Sequence, residues 1–421
     1  MVAIGASAGG LEALKRFFSA MPAQSGLGFV VIPHLDPTHV SHLPELLRRH
    51  TPMPVEQAHD GALVEAEHVH IIPPNALLTI KGGVLYLGAA VARPGIPRPI
   101  DGFLRSLAEY QQERAICIIV SGTGSDGTLG LKAIKAEGGL VMVQSPDTAE
   151  HDGMPRSAIA TGLVDYVLPV EQMPAALLEY VEHAHLRGAP IPVSADPRHD
   201  PLHPILALLC TREGHDFRWY RKAMLLRRIQ RRMGLNRIAA IADYAQHLRD
   251  TPAELKALAK DLLIGVTEFF REPEAWAVLE AEVIPKLVAA KHPEAPLRVW
   301  VTGCATGEEA YSLGMLLLER VASSEHNGEL QIFATDIDRH ALEIARGGTY
   351  PEGMASSLTP ERLTRFFTKS DNSYRIKKEL REAVVFAPQN LITDAPFSRL
   401  DLIICRNLLI YLEPELSLIH I

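Results

Sequence analysis

Short apolar runs alternate with amphipathic segments along the first part of the chain. Runs rich in valine and isoleucine occupy positions 2–4, 28–33 and 115–120, and such runs are typical of strands buried on both faces. Residues 11–18 instead repeat apolar positions at helical spacing. Because strands alternate with helices, the pattern predicts an α/β domain with a doubly wound parallel sheet.

The pattern changes beyond residue 185. Residues 186–204 contain five prolines and little periodicity, which is typical of a linker. Helical periods then run through residues 205–263, and strand-like runs return from residue 297 onward. We therefore predict four segments: an α/β domain at 1–185, the linker at 186–204, a small helical subdomain at 205–285 and a Rossmann-like α/β domain at 286–421.

Composition narrows the class of protein. The 421 residues carry a net charge of −8 and are 47% hydrophobic, which fits buried cores and argues against general nucleic-acid binding. Four separated cysteines give neither a disulfide framework nor a zinc site and fit a reducing cytoplasm. No apolar stretch reaches the roughly 18 residues that span a bilayer, and the N-terminus lacks a signal-peptide pattern. These features predict a cytoplasmic protein without direct membrane insertion.

Three polar residues follow three of the predicted strands. Ser7 lies in a glycine-rich turn after the first strand, His34 follows the second, and Asp126 lies in a glycine-rich segment after the third. The carboxyl ends of parallel strands share one edge of a sheet, and a Ser-His-Asp triad needs only that convergence. We therefore predict these three residues as catalytic. The alternative for the serine turn is a phosphate-binding loop or a plain tight turn.

A second glycine-bearing turn follows the strand-like run at 297–301. Gly303 and Gly307 lack the spacing of dinucleotide sites, and Glu308 and Glu309 would repel a pyrophosphate. Asp336, after the next strand, is placed to accept ribose hydroxyls. A cationic, phosphate-free nucleoside such as S-adenosylmethionine fits this pattern. The alternative is an ordinary strand-to-helix turn.

Residues 221–232 form a strongly basic amphipathic segment. One helical face is apolar and the other carries lysines and arginines. Such a face either docks an acidic partner, such as acidic receptor helices, or remains solvated.

The motifs of the first domain resemble those of the chemotaxis receptor methylesterases, the CheB family. The likeness covers about residues 1–183 and rests on the segments at 5–10, 28–34, 73–75, 122–127 and 153–156. It implies a hydrolase that cleaves glutamyl methyl esters on receptor cytoplasmic helices. By this resemblance Ser7 is the nucleophile, His34 the general base and Asp126 the group that orients the imidazole. Thr123 stands where many relatives carry methionine.

The remainder resembles the chemotaxis receptor methyltransferases, the CheR family, over about residues 201–414. The matching segments are 266–271, 303–312, 334–338, 388–391 and 405–407. The resemblance implies S-adenosylmethionine as the cofactor and places Tyr411 close to the transfer site. Gly265 stands where relatives often carry asparagine, and residues 350–386 resemble the family's antiparallel insertion. The residues implied to surround the cofactor are Thr267, Arg271, Glu309, Asp336, Asn390, Leu391, Arg406 and Asn407.

Together the two resemblances imply a multifunctional enzyme of chemotactic signal transduction. Its implied partners are chemoreceptor cytoplasmic helices or a sensory kinase assembly. Because the strand at 400–404 is followed closely by the end of the sequence, we expect the methyltransferase sheet to be incomplete and that half to fold poorly. One alternative is a receptor-associated scaffold with an active esterase half and an inactive methyltransferase half. The other, a nucleic-acid methyltransferase, is disfavoured by the acidic composition.

Overall fold

The computed structural model describes residues 1–34, 41–89, 98–182, 200–263, 265–370 and 373–414. The chain divides into two compact units. The first comprises Met1–Asp216 and Leu225–Leu262, and the second comprises Phe217–Met224 and Leu263–Ile421. Most of the predicted linker, residues 186–199, and the C-terminal residues 415–421 lie outside the described residues. The domain boundaries predicted from the sequence stay predictions.

The first unit contains a parallel sheet of seven strands in the order β3-β4-β2-β1-β7-β8-β9. Chain order reverses on the two sides of β1, which creates the crevice where α/β sheets bind ligands. An antiparallel β5-β6 hairpin accompanies the sheet. The strands are β1 (Val2–Ala6), β2 (Phe29–Pro33), β3 (Val55–Gln57), β4 (Val69–Ile71), β5 (Ala76–Lys81), β6 (Val84–Ala89), β7 (Ile116–Ile119), β8 (Leu140–Gln144) and β9 (Tyr166–Leu168).

Helices cover both faces of this sheet. Val2 and Ile4 of β1 enter one apolar core, while the intervening Ala3 enters the other, as the alternation of side chains along a strand requires. The helices of the sheet domain are α1 (Gly10–Ala20), α2 (Leu43–Leu47), α3 (Pro99–Gln111), α4 (Thr128–Ala136), α5 (Gly153–Ala160) and α6 (Met173–Glu182). The predicted doubly wound α/β fold is thus confirmed.

A helical segment follows. It contains α7 (His203–Leu208), α8 (Lys222–Leu235), α9 (Ile241–Asp250) and α10 (Pro252–Leu262). Short 3₁₀ and π turns connect elements in both units, at Gln112–Arg114, Pro146–Thr148, Val170–Gln172, Leu209–Glu213, Leu279–Val283, Glu352–Ser357 and Leu409–Tyr411.

The second unit contains a four-stranded parallel sheet in the order β15-β11-β10-β16. Numbered by appearance this is 3-2-1-4, the order of a Rossmann half-sheet. A three-stranded antiparallel sheet, β12-β14-β13, begins one residue before the predicted insertion at 350–386 and otherwise lies within it. The strands are β10 (Leu297–Thr302), β11 (Leu330–Asp336), β12 (Thr349–Pro351), β13 (Phe367–Ser370), β14 (Ser373–Ile376), β15 (Val384–Pro388) and β16 (Leu402–Ile404). The helices are α11 (Pro273–Val278), α12 (Ile284–Ala289), α13 (Glu308–Ala322), α14 (Arg339–Gly347), α15 (Pro360–Phe366) and α16 (Lys378–Glu382).

The basic face of α8 is neither solvated nor open to an acidic partner over its C-terminal half. Arg228 and Arg231 are each 2% exposed. Arg228 donates to the carbonyl oxygens of Asp261 and Ala136, at 2.8 and 3.2 Å, and Arg232 pairs with Glu254. The sequence predicts that this face either docks an acidic partner or remains solvated. Both predictions are wrong for these arginines, because their guanidinium groups bind acceptors within the chain.

Candidate active sites

The turn that carries Ser7 is fixed by its own backbone. Ser7 follows β1, its N–H donates to the Ser121 carbonyl oxygen at 3.0 Å, and its carbonyl accepts from Gly10 at 2.9 Å. Gly9 has φ 71°, and a Cβ there would lie 2.6 Å from the Ser121 hydroxyl oxygen. Only glycine fits such a bend. The serine consequently stands beside the N-terminus of α1, where free N–H groups can stabilise an oxyanion.

His34 and Asp126 meet at the carboxyl edge of the same sheet. His34 follows β2, and its Nε2 lies 2.7 Å from Asp126 Oδ2. The Asp126 side chain is 4% exposed and that of His34 is 30% exposed. Because Asp126 binds Nε2, Nδ1 is the ring nitrogen left to act on a serine. Within the described residues no hydrogen bond joins the Ser7 hydroxyl to His34, and such contacts are often loose before substrate binds.

The Asp126 carboxylate is held by three backbone N–H groups as well as by His34. Oδ1 accepts from Asp101 at 3.0 Å and from Gly127 at 2.9 Å, and Oδ2 accepts from Ile100 at 3.1 Å. Two of these donors belong to the first turn of α3. The positive end of this helix therefore stabilises the ionised carboxylate.

Asp101 is a residue that the sequence analysis missed. Its buried carboxylate accepts from Gly130 N–H in α4 at 2.7 Å and from Arg98 at 3.2 Å, so it ties α3 to α4 behind Asp126. Burial and the neighbouring Asp126 charge raise the pKa of Asp101 to about 7. Its position in a helix gave no signal, because only the fold brings it beside the catalytic loop.

Ser121 is a second missed residue. It is 1% exposed, its hydroxyl donates to the Ala8 carbonyl oxygen at 2.9 Å and it accepts from His151 N–H at 3.0 Å. The Ser121 N–H donates to Gln144 at 2.8 Å. This serine ties the Ser7 turn to the loop that carries His151 and to the end of β8, and so acts as a positioning residue.

The second candidate site lies at the carboxyl edge of the four-stranded sheet. Asp336 ends β11, and its carboxylate accepts from Ala305 N–H at 2.8 Å and from Asp338 N–H at 2.9 Å. Burial raises the pKa of Asp336, and these backbone donors oppose that shift. The carboxylate thus fixes the Gly303 turn after β10, and its remaining lone pairs can accept from ribose hydroxyls.

Glu309, in the first turn of α13, has an unsatisfied acceptor. Its Oε1 is buried without a hydrogen-bond partner among the described residues, while Oε2 lies 3.6 Å from Arg406. Burial raises the pKa of Glu309 to about 7, although Arg406 and Arg271 oppose the shift. A buried acceptor that lacks a donor costs free energy. An ammonium group would satisfy it, so the site fits the amino acid end of S-adenosylmethionine.

Arg406 and Asn407 follow β16 and contact Glu272, which the sequence analysis missed. Arg406 donates to the Arg271 carbonyl oxygen at 2.8 Å and to Glu272 at 3.0 Å, and Asn407 donates to Glu272 at 3.2 Å. Arg271 itself donates to the Val266 carbonyl oxygen at 2.8 Å. These contacts brace the loop between α10 and α11 against the end of β16.

The other predicted residues lie on neighbouring loops. Asn390 and Leu391 follow β15, Thr267 lies in the loop before α11, and Tyr411 ends a 3₁₀ turn after β16. All four are at least partly exposed. Their roles stay predictions.

Gly265 lies against the glycine turn after β10. A Cβ at Gly265 would lie 2.9 Å from Ala305 Cβ, so an asparagine there would require the glycine turn to move.

Tyr220 pairs with Leu412 through a β-bridge, and burial together with the nearby Asp336 charge raises its pKa to about 12. Tyr220 is thus a further residue near the predicted ribose site, and nothing in its local sequence indicates this.

Each of the two units places a set of polar side chains at the carboxyl edge of its own parallel sheet, which is where α/β domains bind their ligands. Residues 2–177 match the family of the CheB methylesterase, residues 201–263 the all-alpha domain of the CheR methyltransferase, and residues 265–417 its SAM-binding domain. The chain belongs to the chemotaxis methylesterase and chemotaxis methyltransferase families, and the recognition made from its motifs is confirmed. S-adenosylmethionine is accordingly the cofactor of the second domain.

Several relatives show how these domains are shared. An uncharacterised 104.1 kDa protein of Rhodobacter capsulatus, from the hypE 3′ region, is 40% identical over 88% of this chain, which spans 41% of that protein. A chemotaxis protein methyltransferase of Listeria innocua is 32% identical over 48% of this chain and 75% of its own length. The catalytic domain of the Thermotoga maritima CheB methylesterase is 31% identical, covers 42% of this chain and 96% of its own, and superposes with a TM-score of 0.40. The chain therefore spans about two fifths of the Rhodobacter relative.

Proposed function

We propose that this chain is a bifunctional enzyme of chemotactic signalling. One site hydrolyses glutamate methyl esters on chemoreceptors, and the other methylates receptor glutamates with S-adenosylmethionine. The observation that supports this most is the pair of separate polar sites, each at the carboxyl edge of its own parallel sheet. His34 Nε2 and Asp126 Oδ2 lie 2.7 Å apart beside the Ser7 turn. Glu309 Oε1, which has no hydrogen-bond partner among the described residues, belongs to the other unit.

Ester hydrolysis proceeds through a covalent intermediate. His34 Nδ1 takes the Ser7 hydroxyl proton as the oxygen attacks the ester carbonyl, and the α1 N-terminus stabilises the oxyanion. Collapse expels the methoxy group, which takes that proton from His34 and leaves as methanol. A water then gives a proton to His34 and attacks the acyl carbon, which frees the glutamate carboxylate and returns the proton to Ser7. Asp126 keeps the imidazole oriented and stabilises its charged form.

Methyl transfer depends on alignment. S-adenosylmethionine supplies an electrophilic methyl group on its sulfonium sulfur. Asp336 would hold the ribose and Glu309 the amino acid end, while Arg406 and Asn407 keep the surrounding loops in place. The chain needs no covalent intermediate here, because fixed orientation of the substrate carboxylate toward the methyl group can itself lower the barrier.

The partners follow from this chemistry. The proposed substrates are the cytoplasmic helices of chemoreceptors, alone or in a sensory kinase assembly, and the proposed compartment is the cytoplasm. No helix among the described residues has both the length and the apolar character to cross a bilayer.

The esterase activity is tested by methanol release from a methylated receptor fragment. Ser7→Ala should lower the rate by a factor on the order of 10⁴ or more, because the nucleophile is lost. Ser19→Ala is the matched control, since Ser19 is an exposed serine on α1 and its loss should leave the rate unchanged. Retained activity in the Ser7 variant would remove that residue from the role.

The methyltransferase activity is tested by incorporation of labelled methyl groups from S-adenosylmethionine into an unmethylated receptor fragment. Incorporation supports the bifunctional enzyme. Methanol release without incorporation would instead support a receptor-associated scaffold whose methyltransferase half is inactive.

A further inference from the structure

Four charged side chains form a buried ion cluster between the esterase sheet and the helical segment. The cluster consists of Lys135 in α4, Asp165 before β9, Arg231 in α8 and Asp261 in α10. Their side-chain exposures range from 2% to 8%. All four belong to the first compact unit.

The cluster is a closed ring of opposite charges. Lys135 Nζ lies 2.6 Å from Asp165 Oδ1 and 3.5 Å from Asp261 Oδ1. Arg231 Nη1 lies 2.5 Å from Asp261 Oδ2, and Arg231 Nη2 pairs with Asp165 Oδ2. The esterase domain supplies one cation and one anion, and the helical segment supplies the other two. Each side is therefore neutral alone, and each charge gains its second partner only when the two surfaces meet.

Burial makes the second partner of each charge important for stability. A buried charge is tolerated only when it is paired and hydrogen-bonded, and removal of one partner is strongly destabilising. Burial alone would raise the pKa of Asp165, but Arg231 and Lys135 hold it down at about 2. Asp165 also accepts from Val141 N–H at 2.9 Å. The carboxylate is thus bound from both surfaces at once.

Further contacts surround the cluster. Arg231 donates to the Gly139 carbonyl oxygen at 3.2 Å, and Lys260 donates to that of Gly162 at 2.8 Å. Leu235 packs against the core of the esterase sheet. These contacts use backbone acceptors and apolar area as well as charge, which is the composition of a specific interface.

We propose that the esterase domain carries a dedicated docking surface for the basic helix α8, so that the helical segment of the methyltransferase is held by the esterase domain of the same chain. The buried ion cluster makes this docking surface specific for α8. The C-terminal half of α8 is therefore committed to an intramolecular partner.

The test separates the two surfaces covalently. A protease site is placed within residues 186–199, the full chain is purified and cleaved, and the association of the two fragments is measured by sedimentation and size-exclusion chromatography. The native pair should remain a one-to-one complex at micromolar concentration. Separation of the native fragments, or a two-to-two complex formed by exchange between chains, would overturn the proposal.

Two matched variants test the cluster itself. Asp165→Asn removes a buried carboxylate that faces Arg231, whereas Glu179→Gln removes an exposed carboxylate that faces Arg237 across the same interface. Asp165→Asn should weaken association by a factor on the order of 10² to 10³, and Glu179→Gln should change it less than about fivefold. Equal effects of the two variants would refute the role of the cluster.

Esterase activity before cleavage reports whether each variant is folded. If Asp165→Asn lacks that activity, Asp261→Asn makes the same test from the helical side, because Asp261 contacts both Lys135 and Arg231. The same weakening is expected from this variant, and native-like association would contradict the proposal.

Discussion

Replacement of Asp126 by asparagine should disable the esterase site through the tautomer of His34. Each carboxylate oxygen now accepts two hydrogen bonds: Oδ1 from Asp101 and Gly127, and Oδ2 from Ile100 and His34. An asparagine side chain has only one oxygen, so it can keep only one of these two pairs of hydrogen bonds. The arrangement that loses least retains the pair at Oδ1 and turns the amide nitrogen toward His34.

That nitrogen is a donor, so His34 Nε2 must then accept. The imidazole proton moves to Nδ1, and this nitrogen can no longer take the proton of Ser7. The same change in a Ser-His-Asp triad lowers kcat by roughly 10⁴, and we expect a loss of this size. The Ile100 N–H also loses a charged acceptor, which should reduce the free energy of unfolding by about 1.5–3 kcal/mol.

The assay is kcat for methanol release, measured well below the melting temperature so that unfolding does not contribute. Asp243→Asn is the control, because Asp243 is an exposed aspartate on α9. An Asp126→Asn variant with kcat within about tenfold of the native value would refute the tautomer argument.

Two other predictions concern raised carboxyl pKa values. The pKa of Asp101 is about 7 in the folded state and 3.8 ordinarily. Between these pH values the folded protein binds a proton that the unfolded chain has lost. The free energy of unfolding should therefore fall as pH rises across this range, by up to about 1.4 kcal/mol per pH unit. Asp101→Asn should remove that slope in urea titrations, and an unchanged slope would exclude Asp101 as its source. The pKa of Glu309 is also about 7, and only the ionised form attracts a cation, so affinity for S-adenosylmethionine in calorimetry should rise roughly eightfold from about pH 6 to about pH 7.5. Glu309→Gln should bind more weakly and without this dependence, and a native-like pH dependence in that variant would contradict the assignment.

The sequence predicts those features that depend on local order along the chain. Ser7, His34 and Asp126 each follow an apolar strand, and parallel strands bring their carboxyl ends together, so their placement at one edge of the sheet could be predicted. Asp336 could be predicted in the same way. Their places in the fold follow from hydrophobic periodicity together with the parallel order of the strands, and their roles stay predictions.

Other features depend on contacts between distant segments. Asp101 lies on an ordinary amphipathic helix, and only packing brings it beside Asp126. The basic face of α8 satisfies the pattern of a solvated or docking helix, since periodicity cannot distinguish water from a buried carboxylate such as Asp165. Gly265 likewise shows no local reason for its lack of a side chain, because the obstacle, Ala305 Cβ, belongs to another loop.

We propose that this one chain carries two separate active sites for opposite reactions. The most direct measurement follows methanol release and methyl incorporation in parallel, on methylated and unmethylated receptor fragments, for Ser7→Ala and Asp336→Ala. Ser7→Ala should lose methanol release and keep incorporation, and Asp336→Ala should do the reverse with weakened cofactor binding. Loss of both reactions in either folded variant would show that the two sites are not separate, and methanol release at the native rate without Ser7 would show that Ser7 is not the nucleophile.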